Sequence, residues 1–195
     1  MFREKGANYF NPDEAARKLM EANPGISSIA ANSAAWQQGK NCLEQAIAER
    51  IDYAFETTLG GETITELLEK AIFAGIEVWV WYVGLSSQEL CIARVKARVA
   101  TGGHPIPEAK IRERYIKSPL NLIRLLPNLS KLVVFDNSAE GDPRKGKRPQ
   151  PQLILGMEHG HVVSVCDLSC APGWAKPILA VALKLPRRPF HGQVL

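Results

Sequence analysis

The residues best suited to chemistry form three short polar clusters, each placed directly after an apolar segment. The clusters are Asn11-Pro12-Asp13-Glu14, Glu56-Thr57-Thr58 and Asp136-Asn137-Ser138. Acidic and polar side chains at the ends of strands are candidates for chemistry, since carboxylates can do acid–base work and hydroxyl and amide groups can bind polar ligands. Because the carboxyl ends of parallel strands meet at one edge of a sheet, we expect these clusters to converge on one crevice.

Glu56 stands out among these residues because it ends an apolar run that begins at Tyr53 and is followed by Gly60-Gly61. Ligands of open α/β sheets bind at the carboxyl ends of the strands, so Glu56 is placed where a site would be. The alternative is that Glu56 caps the next helix, although Glu62 or Thr63 signals that start better. The functional interpretation is the one we favour.

Basic residues of the middle of the chain repeat at helical spacing on two segments joined by Gly102-Gly103. They are Arg94 and Arg98 on one helix face, and Lys110, Arg114 and Lys117 on the next. Guanidinium groups match phosphate oxygens in pairs, so two such helices could form a lid over a phosphate, at about 94–117. A solvated helical hairpin with no ligand explains the same spacing, and both interpretations stay open.

Short apolar runs alternate with longer amphipathic ones, which predicts repeated βα units. We predict an α/β fold with a mainly parallel sheet in a single domain over residues 1–195. The predicted strands span 8–10, 53–56, 78–83 and 131–136, the helices span 12–21, 28–51, 62–74, 86–101 and about 107–126, and a small hairpin and helix follow at about 151–185. Asn11 is predicted to cap the helix at 12–21, with Pro12 at its first position, and Gly75 stands where the helix at 62–74 ends. Trp79 and Trp81 are interpreted as packing residues, Pro119 as a helix interruption, and 140–151 as an exposed loop.

Composition restricts the class of protein. The chain has 195 residues, 46% of them hydrophobic and 23% charged, with a net charge of +4, as in an ordinary globular protein. No apolar stretch is long enough to cross a bilayer and no signal peptide is visible, so we expect a cytoplasmic protein with no membrane partner. Aromatic and basic residues are not interleaved, which argues against nucleic acid. The four cysteines lack the spacing of metal ligands, so we do not expect them to form a metal site.

The motifs, in this order, resemble those of the zeta-toxin-like P-loop kinases. The segments that carry the resemblance are Tyr9 to Glu14, Phe55 to Gly61, Val83 to Leu85, Arg94 through Gly102 to Pro107, Ile111 to Tyr115, and Asp136 to Ser138. The resemblance covers nearly everything from Asn8 to about Ser138. It implies a three-layer nucleotide-binding fold and phosphoryl transfer from ATP, with Mg²⁺, to a small hydroxyl acceptor. In the toxins proper that acceptor is an amino-sugar nucleotide, and an antitoxin protein is a possible partner.

The same resemblance implies roles for individual residues. Asp13 matches the acidic residue that orients or deprotonates the acceptor hydroxyl, and Glu56 matches the carboxylate that holds the acceptor, with Thr57 and Thr58 beside it. Arg98 and Arg114 match basic lid residues that embrace the transferring phosphate of the nucleotide. Arg94, Arg112 and Lys117 are reserves for that role, and Asn137 would lie near the nucleotide base.

The chain departs from the family at one feature, the phosphate-binding Gly-x-x-x-x-Gly-Lys-Ser/Thr loop, which should precede Asn8 and is not found. Without its amides and lysine we do not expect competent ATP binding. The strand that carries this loop is usually central, so we also expect unpaired neighbours and an uncovered apolar face. Our first hypothesis is that Met1 is an internal methionine of a longer kinase. The alternative is a degenerate, non-catalytic fragment that binds the acceptor or a partner protein, or persists as a structural remnant.

Overall fold

A computed structural model of the protein describes residues 8–139 and 150–186. Across these two ranges the protein is mixed α/β, with six α-helices and two β-sheets. The described residues separate into two compact units: the first contains 8–58 and 62–76, and the second contains 59–61, 77–139 and 150–186. The predicted loop at 140–151 lies almost wholly outside the described residues.

The first unit joins two short parallel strands to three helices. Its elements are β1 (Asn8–Phe10), α1 (Pro12–Ala22), α2 (Ser28–Glu49), β2 (Tyr53–Phe55) and α3 (Glu62–Phe73). As predicted, Asn11 caps α1 and Pro12 occupies its first turn, where a missing N–H costs nothing. Ser27 caps α2 through the amide of Ala30. These caps fix where each helix begins.

Close packing between β1 and the helices holds the first unit together. The Phe10 ring lies against Gly39 of α2, where a Cβ atom would come within 2.6 Å of the ring. Ala16, Ala31 and Ala35 form a small buried core between α1 and α2. Because these side chains are small, the two helices approach each other closely.

The second unit is built on a four-stranded sheet. Its elements are β3 (Trp79–Gly84), α4 (Gln88–Ala100), α5 (Glu108–Leu125), β4 (Lys131–Asp136), β5 (Gln152–Glu158), β6 (His161–Val165) and α6 (Lys176–Ala182). The strands follow the order β3-β4-β5-β6, with β3 and β4 parallel and the remaining neighbours antiparallel. The α/β class is thus confirmed, with parallel pairs β1–β2 and β3–β4. The predicted strands lie in two sheets, and the C-terminal hairpin extends the second one.

The two basic helices predicted as a lid form a helical hairpin. Helix α4 ends at Ala100 and α5 begins at Glu108. In the turn between them Gly102 has a φ of +94°, which favours glycine. Helix α5 continues through Pro119, so the predicted interruption is wrong. A proline leaves one carbonyl without its helical partner, and the surrounding packing tolerates that loss here.

Strand β3 presents two different faces. Tyr82 and Gly84 point to the packed side, where the Tyr82 hydroxyl contacts the Ser118 hydroxyl at 3.0 Å. Trp79, Trp81 and Val83 point to the other side and are 54%, 46% and 54% exposed. The interpretation of both tryptophans as packing residues is therefore wrong, because strand alternation places them on the open face of the sheet.

Within 8–139 and 150–186, no helix combines the length and the apolar character needed to cross a membrane.

Candidate functional site

The carboxyl ends of β1 and β2 lie side by side. Tyr9 pairs with Ala54 and Phe10 with Phe55 in a parallel register. The amide of Glu56 donates to the Phe10 carbonyl at 3.1 Å, so pairing extends one residue past β2. The first and second polar clusters are thus brought together, as predicted. The third cluster, at Asp136, belongs to the second unit.

Two neutral donors orient the Glu56 carboxylate. The Tyr9 hydroxyl donates to Oε1, and the Asn11 amide nitrogen donates to Oε2 at 2.9 Å. Glu56 does not cap α3, which begins at Glu62, so the alternative interpretation of this residue is wrong. Each carboxylate oxygen can accept more than one hydrogen bond, and the Glu56 side chain is exposed. The carboxylate is therefore both fixed and able to accept from a ligand hydroxyl.

Asn11 also determines where Asp13 lies. The Asn11 Oδ1 atom accepts from the amides of Asp13 at 2.9 Å and Glu14 at 3.1 Å. Asp13 consequently occupies the first turn of α1, where the helix dipole stabilises a negative charge, and it is exposed. Asp13 and Glu56 are thus positioned by the same asparagine.

A cleft of about 310 Å³ opens beside this cluster. It is lined by Tyr9, Phe10, Asn11, Glu14, Ala15, Lys18, Leu19 and Gln38. Glu14 and Lys18 form an ion pair of 3.2 Å along one wall. Hydroxyl, amide, carboxylate and ammonium groups therefore face the cleft beside apolar carbon, a mixture suited to a polar ligand with some apolar surface.

Thr57 and Thr58 follow Glu56 in an exposed loop. Leu59, next in the chain, is only 4% exposed and has a φ of +51°, which is uncommon for a leucine. The amide nitrogen of Asn121 in α5 donates to the carbonyls of Leu59 at 2.9 Å and Gly61 at 3.4 Å. The loop after the threonines is thus anchored by a buried leucine and a buried asparagine.

Arg114, which the sequence predicts to contact a phosphate, is a residue of α5 whose side chain packs against the same loop at Gly60. A Cβ atom at position 60 would lie 2.6 Å from Arg114 Cγ, so this approach requires Gly60. Arg114 is exposed, and its guanidinium has no ion-pair partner in the part of the chain that the structure describes. It remains available to bind an anion.

Arg98 lies at the end of α4 against the glycine turn. Its Nη2 atom donates to the His104 carbonyl at 3.4 Å, and its stem packs on Gly103, where a Cβ atom would be 2.7 Å from Arg98 Cγ. The side chain is exposed. Both arginines predicted to contact the phosphate belong to the second unit, with their stems set against glycines.

The reserve basic residues are engaged in structural contacts. Arg112 pairs with Glu89 at 3.0 Å and Glu108 at 2.8 Å, which links α4 to α5. Lys117 pairs with Glu113 at 2.8 Å. Hydrogen bonds from Lys110 and Lys117 lower the pKa of Glu113 to about 2. Because Arg112 and Lys117 are already paired with glutamates, they are less suited to bind a phosphate than Arg114 is.

Asn137 is half-buried in a loop at the carboxyl ends of β3 and β4. The backbone N–H of Asn137 donates to the Gly84 carbonyl at 2.9 Å, and its backbone carbonyl accepts from Arg94 Nη2 at 2.7 Å. The neighbouring Asp136 accepts from Trp174 Nε1 at 3.0 Å and from Ser138 Oγ at 2.5 Å. The loop that carries Asn137 is thus held by contacts with β3, α4 and Trp174.

The residues present do not fit ATP with Mg²⁺. The phosphate-binding loop is not found in the 195 residues, so no lysine and hydroxyl are set to hold the phosphates and the metal. Among the described residues no three histidine, cysteine or acidic side chains are grouped so that they could hold a metal ion. The basic residues alone do not replace that loop.

Sequence reasoning identified Asn11 as a helix cap but missed its contact with Glu56, and it missed Tyr9 as a site residue. The signal was available in principle: a tyrosine and an asparagine two residues apart share one face at the end of a strand. Only the pairing of β1 with β2 shows that this face meets Glu56.

No known protein-family model matches this chain. No solved structure matches it either. The chain is 33% identical over 103 residues to an uncharacterized protein of Haemophilus influenzae (strain ATCC 51907 / DSM 11121 / KW20 / Rd), and the match covers 53% of this chain and 71% of that protein. An identity of this size over most of the relative indicates a common fold and ancestry. The chain therefore belongs to the same family as this uncharacterized H. influenzae protein.

Proposed function

We propose that the protein provides the acceptor-binding part of a zeta-toxin-like phosphotransferase. The observation that carries this proposal is the Glu56 carboxylate, held by Tyr9 and Asn11 beside a polar cleft. Phosphoryl transfer depends on positioning and charge neutralisation more than on covalent catalysis. An oriented carboxylate at the end of paired parallel strands is suited to positioning a hydroxyl.

Within this proposal the two carboxylates have different tasks. Glu56 accepts a hydrogen bond from the acceptor and fixes its orientation, with Thr57 and Thr58 in the following loop as further contacts. Asp13 accepts the proton of the hydroxyl that attacks the terminal phosphate of ATP, and ADP is the leaving group. A small hydroxyl compound such as an amino-sugar nucleotide is the substrate class that we propose, on the strength of the resemblance.

The phosphate side of the reaction is assigned to Arg98 and Arg114, with Asn137 near the nucleotide base. Paired N–H groups of a guanidinium match phosphate oxygens, and Arg114 has no competing ion pair among the described residues. A phosphate loop, which these 195 residues do not contain, would have to hold ATP. A cytoplasmic location and an antitoxin partner belong to the same proposal.

Substitution of Glu56 by glutamine should weaken binding of an amino-sugar nucleotide about tenfold or more. A hydrogen bond to a charged group contributes roughly 1.5–3 kcal/mol, and glutamine keeps the shape while removing the charge. Isothermal titration calorimetry of the 195-residue chain with UDP-N-acetylglucosamine, a probe of this class, measures the change.

Glu66→Gln is the matched control, because Glu66 is an exposed residue of α3 in the same unit. It should bind as the wild-type chain does. Equal affinity of wild type and Glu56→Gln would contradict the assignment of Glu56. No affinity in the wild-type chain would favour a second candidate function, binding of a partner protein, for which the exposed apolar face of β3 is the supporting observation.

A further inference from the structure

We infer that Asn11 is a positioning residue that sets the geometry between the two acidic residues of the acceptor site. This inference rests on the proposed function, because it concerns how Asp13 and Glu56 are held for one acceptor. The Asn11 side chain is half-buried and makes three hydrogen bonds. Its partners are the Glu56 carboxylate and the backbone amides of Asp13 and Glu14.

The two ends of the Asn11 amide have separate tasks. The Oδ1 atom accepts from the first turn of α1, at 2.9 Å from the Asp13 nitrogen and 3.1 Å from the Glu14 nitrogen. The Nδ2 atom donates to Glu56 Oε2 at 2.9 Å. One planar group therefore joins the helix that carries Asp13 to the carboxylate that would hold the acceptor.

Only an amide side chain of this length meets both requirements. Aspartate caps helices as well as asparagine does, but it has no donor for Glu56 and adds a negative charge beside it. Serine also caps well, but its shorter side chain ends in a single hydroxyl. Asparagine supplies acceptor and donor without adding a charge between two acidic residues.

A purely structural role would make Asn11 a helix cap and nothing more. In that case Asn11→Asp and Asn11→Ser would be nearly neutral, since both residues are good caps. A positioning role predicts that both variants fold normally and bind the acceptor less tightly. The two roles are therefore separated by variants that retain the cap.

The test is a double-mutant cycle between positions 11 and 56, read by calorimetric titration of the full chain with UDP-N-acetylglucosamine. We expect Asn11→Ser and Asn11→Asp each to lower affinity about tenfold. Asn11→Ser combined with Glu56→Ala should lower it by no more than about twofold beyond Glu56→Ala alone, because the two residues act through one contact. The control Asn23→Ser, at the other end of α1, should leave affinity unchanged.

A second readout does not depend on the acceptor. In the free protein, Glu56→Ala should shift the ¹H–¹⁵N signals of the Asn11 side-chain amide. The backbone signals of Asp13 and Glu14 should move much less, because the cap remains. Unmoved Asn11 signals would overturn the inference.

The outcomes also separate this inference from the proposed function. If the wild-type chain binds the probe and Asn11→Asp binds equally well, the positioning role is wrong and the proposed function stands. Independent effects at positions 11 and 56, multiplying in the double variant, likewise overturn the positioning role alone. If the wild-type chain binds no amino-sugar nucleotide, the proposed function fails and the positioning role fails with it. This holds even if the ¹H–¹⁵N spectra show the contact between Asn11 and Glu56.

Discussion

Replacement of Asp13 by alanine should lower the rate of phosphoryl transfer about 10³-fold while leaving acceptor affinity nearly unchanged. A positioned general base contributes roughly 10²- to 10⁴-fold to a rate, and Glu14, the other acidic residue of the first turn of α1, is paired with Lys18 at 3.2 Å. Glu56, which we assign to binding, is intact in this variant. The effect should therefore appear in kcat and not in KM.

The assay requires a form of the protein in which a phosphate loop is supplied, with transfer of labelled phosphate from ATP to the acceptor as the readout. Asp52→Ala is the matched control, because Asp52 is an exposed aspartate of the same unit, just before β2. Loss of a first-turn acid costs about 0.3–1 kcal/mol of helix stability, so thermal unfolding is measured for both variants. Unchanged turnover in Asp13→Ala would remove Asp13 from the catalytic role.

Substitution of Gly84 by valine should destabilise the second unit by about 2–3 kcal/mol, at the upper end of the roughly 1–3 kcal/mol that extra atoms in a packed site usually cost. A Cβ atom at this position would lie 2.5 Å from Cζ3 of Trp174 and nearer still to Cζ2 and Cη2. The indole would have to leave Asp136, to which it donates at 3.0 Å, and Tyr82, whose ring centroid lies 5.9 Å away. Urea unfolding followed by near-ultraviolet circular dichroism reports this loss.

Gly173→Ala is the control for this effect, since a Cβ atom there has no neighbour within 4 Å. It should change the free energy of unfolding by less than about 0.5 kcal/mol. Combining Gly84→Val with Trp174→Leu should restore part of the stability, because the smaller side chain vacates the ring position. A Gly84→Val protein as stable as wild type would show that the Trp174 contact is not close packed.

Local signals in the sequence were sufficient to predict several elements of the fold. Asn11 and Pro12 mark the start of α1 by capping and ring geometry, and the structure places the helix at Pro12–Ala22. Gly75, with a φ of +73°, follows α3 as predicted. The apolar runs at Trp79–Gly84 and Lys131–Asp136 are parallel neighbours. These features depend on a few adjacent residues, so they can be predicted from the sequence without knowledge of tertiary contacts.

Contacts between distant residues could not be predicted in the same way. Tyr9 and Asn11 contact Glu56 only because β1 pairs with β2 in one register, and a shift of one residue would turn both side chains away. The orientation of Trp79 and Trp81 also follows from the register of β3. The spacing of basic residues did not distinguish Arg112, held by two glutamates, from Arg114, which lies against Gly60.

The candidate site was predicted in part. The prediction that Glu56 lies next to the start of α1 is confirmed, because parallel strands end at the same edge of a sheet. The third cluster, at Asp136, was predicted to lie in that crevice too, whereas Asp136 belongs to a second sheet within the other unit. Sheet membership depends on which strands pair, and short apolar runs do not encode their partners.

The central claim is that the carboxyl ends of β1 and β2 bind a hydroxyl acceptor, and amide chemical-shift mapping tests it most directly. The ¹⁵N-labelled chain is titrated with UDP-N-acetylglucosamine while the backbone signals are followed. We predict saturable shifts concentrated at residues 9–18 and 56–58, around Glu56 and the cleft beside it. Saturable shifts confined to other residues, or no shifts at millimolar probe, would contradict the claim.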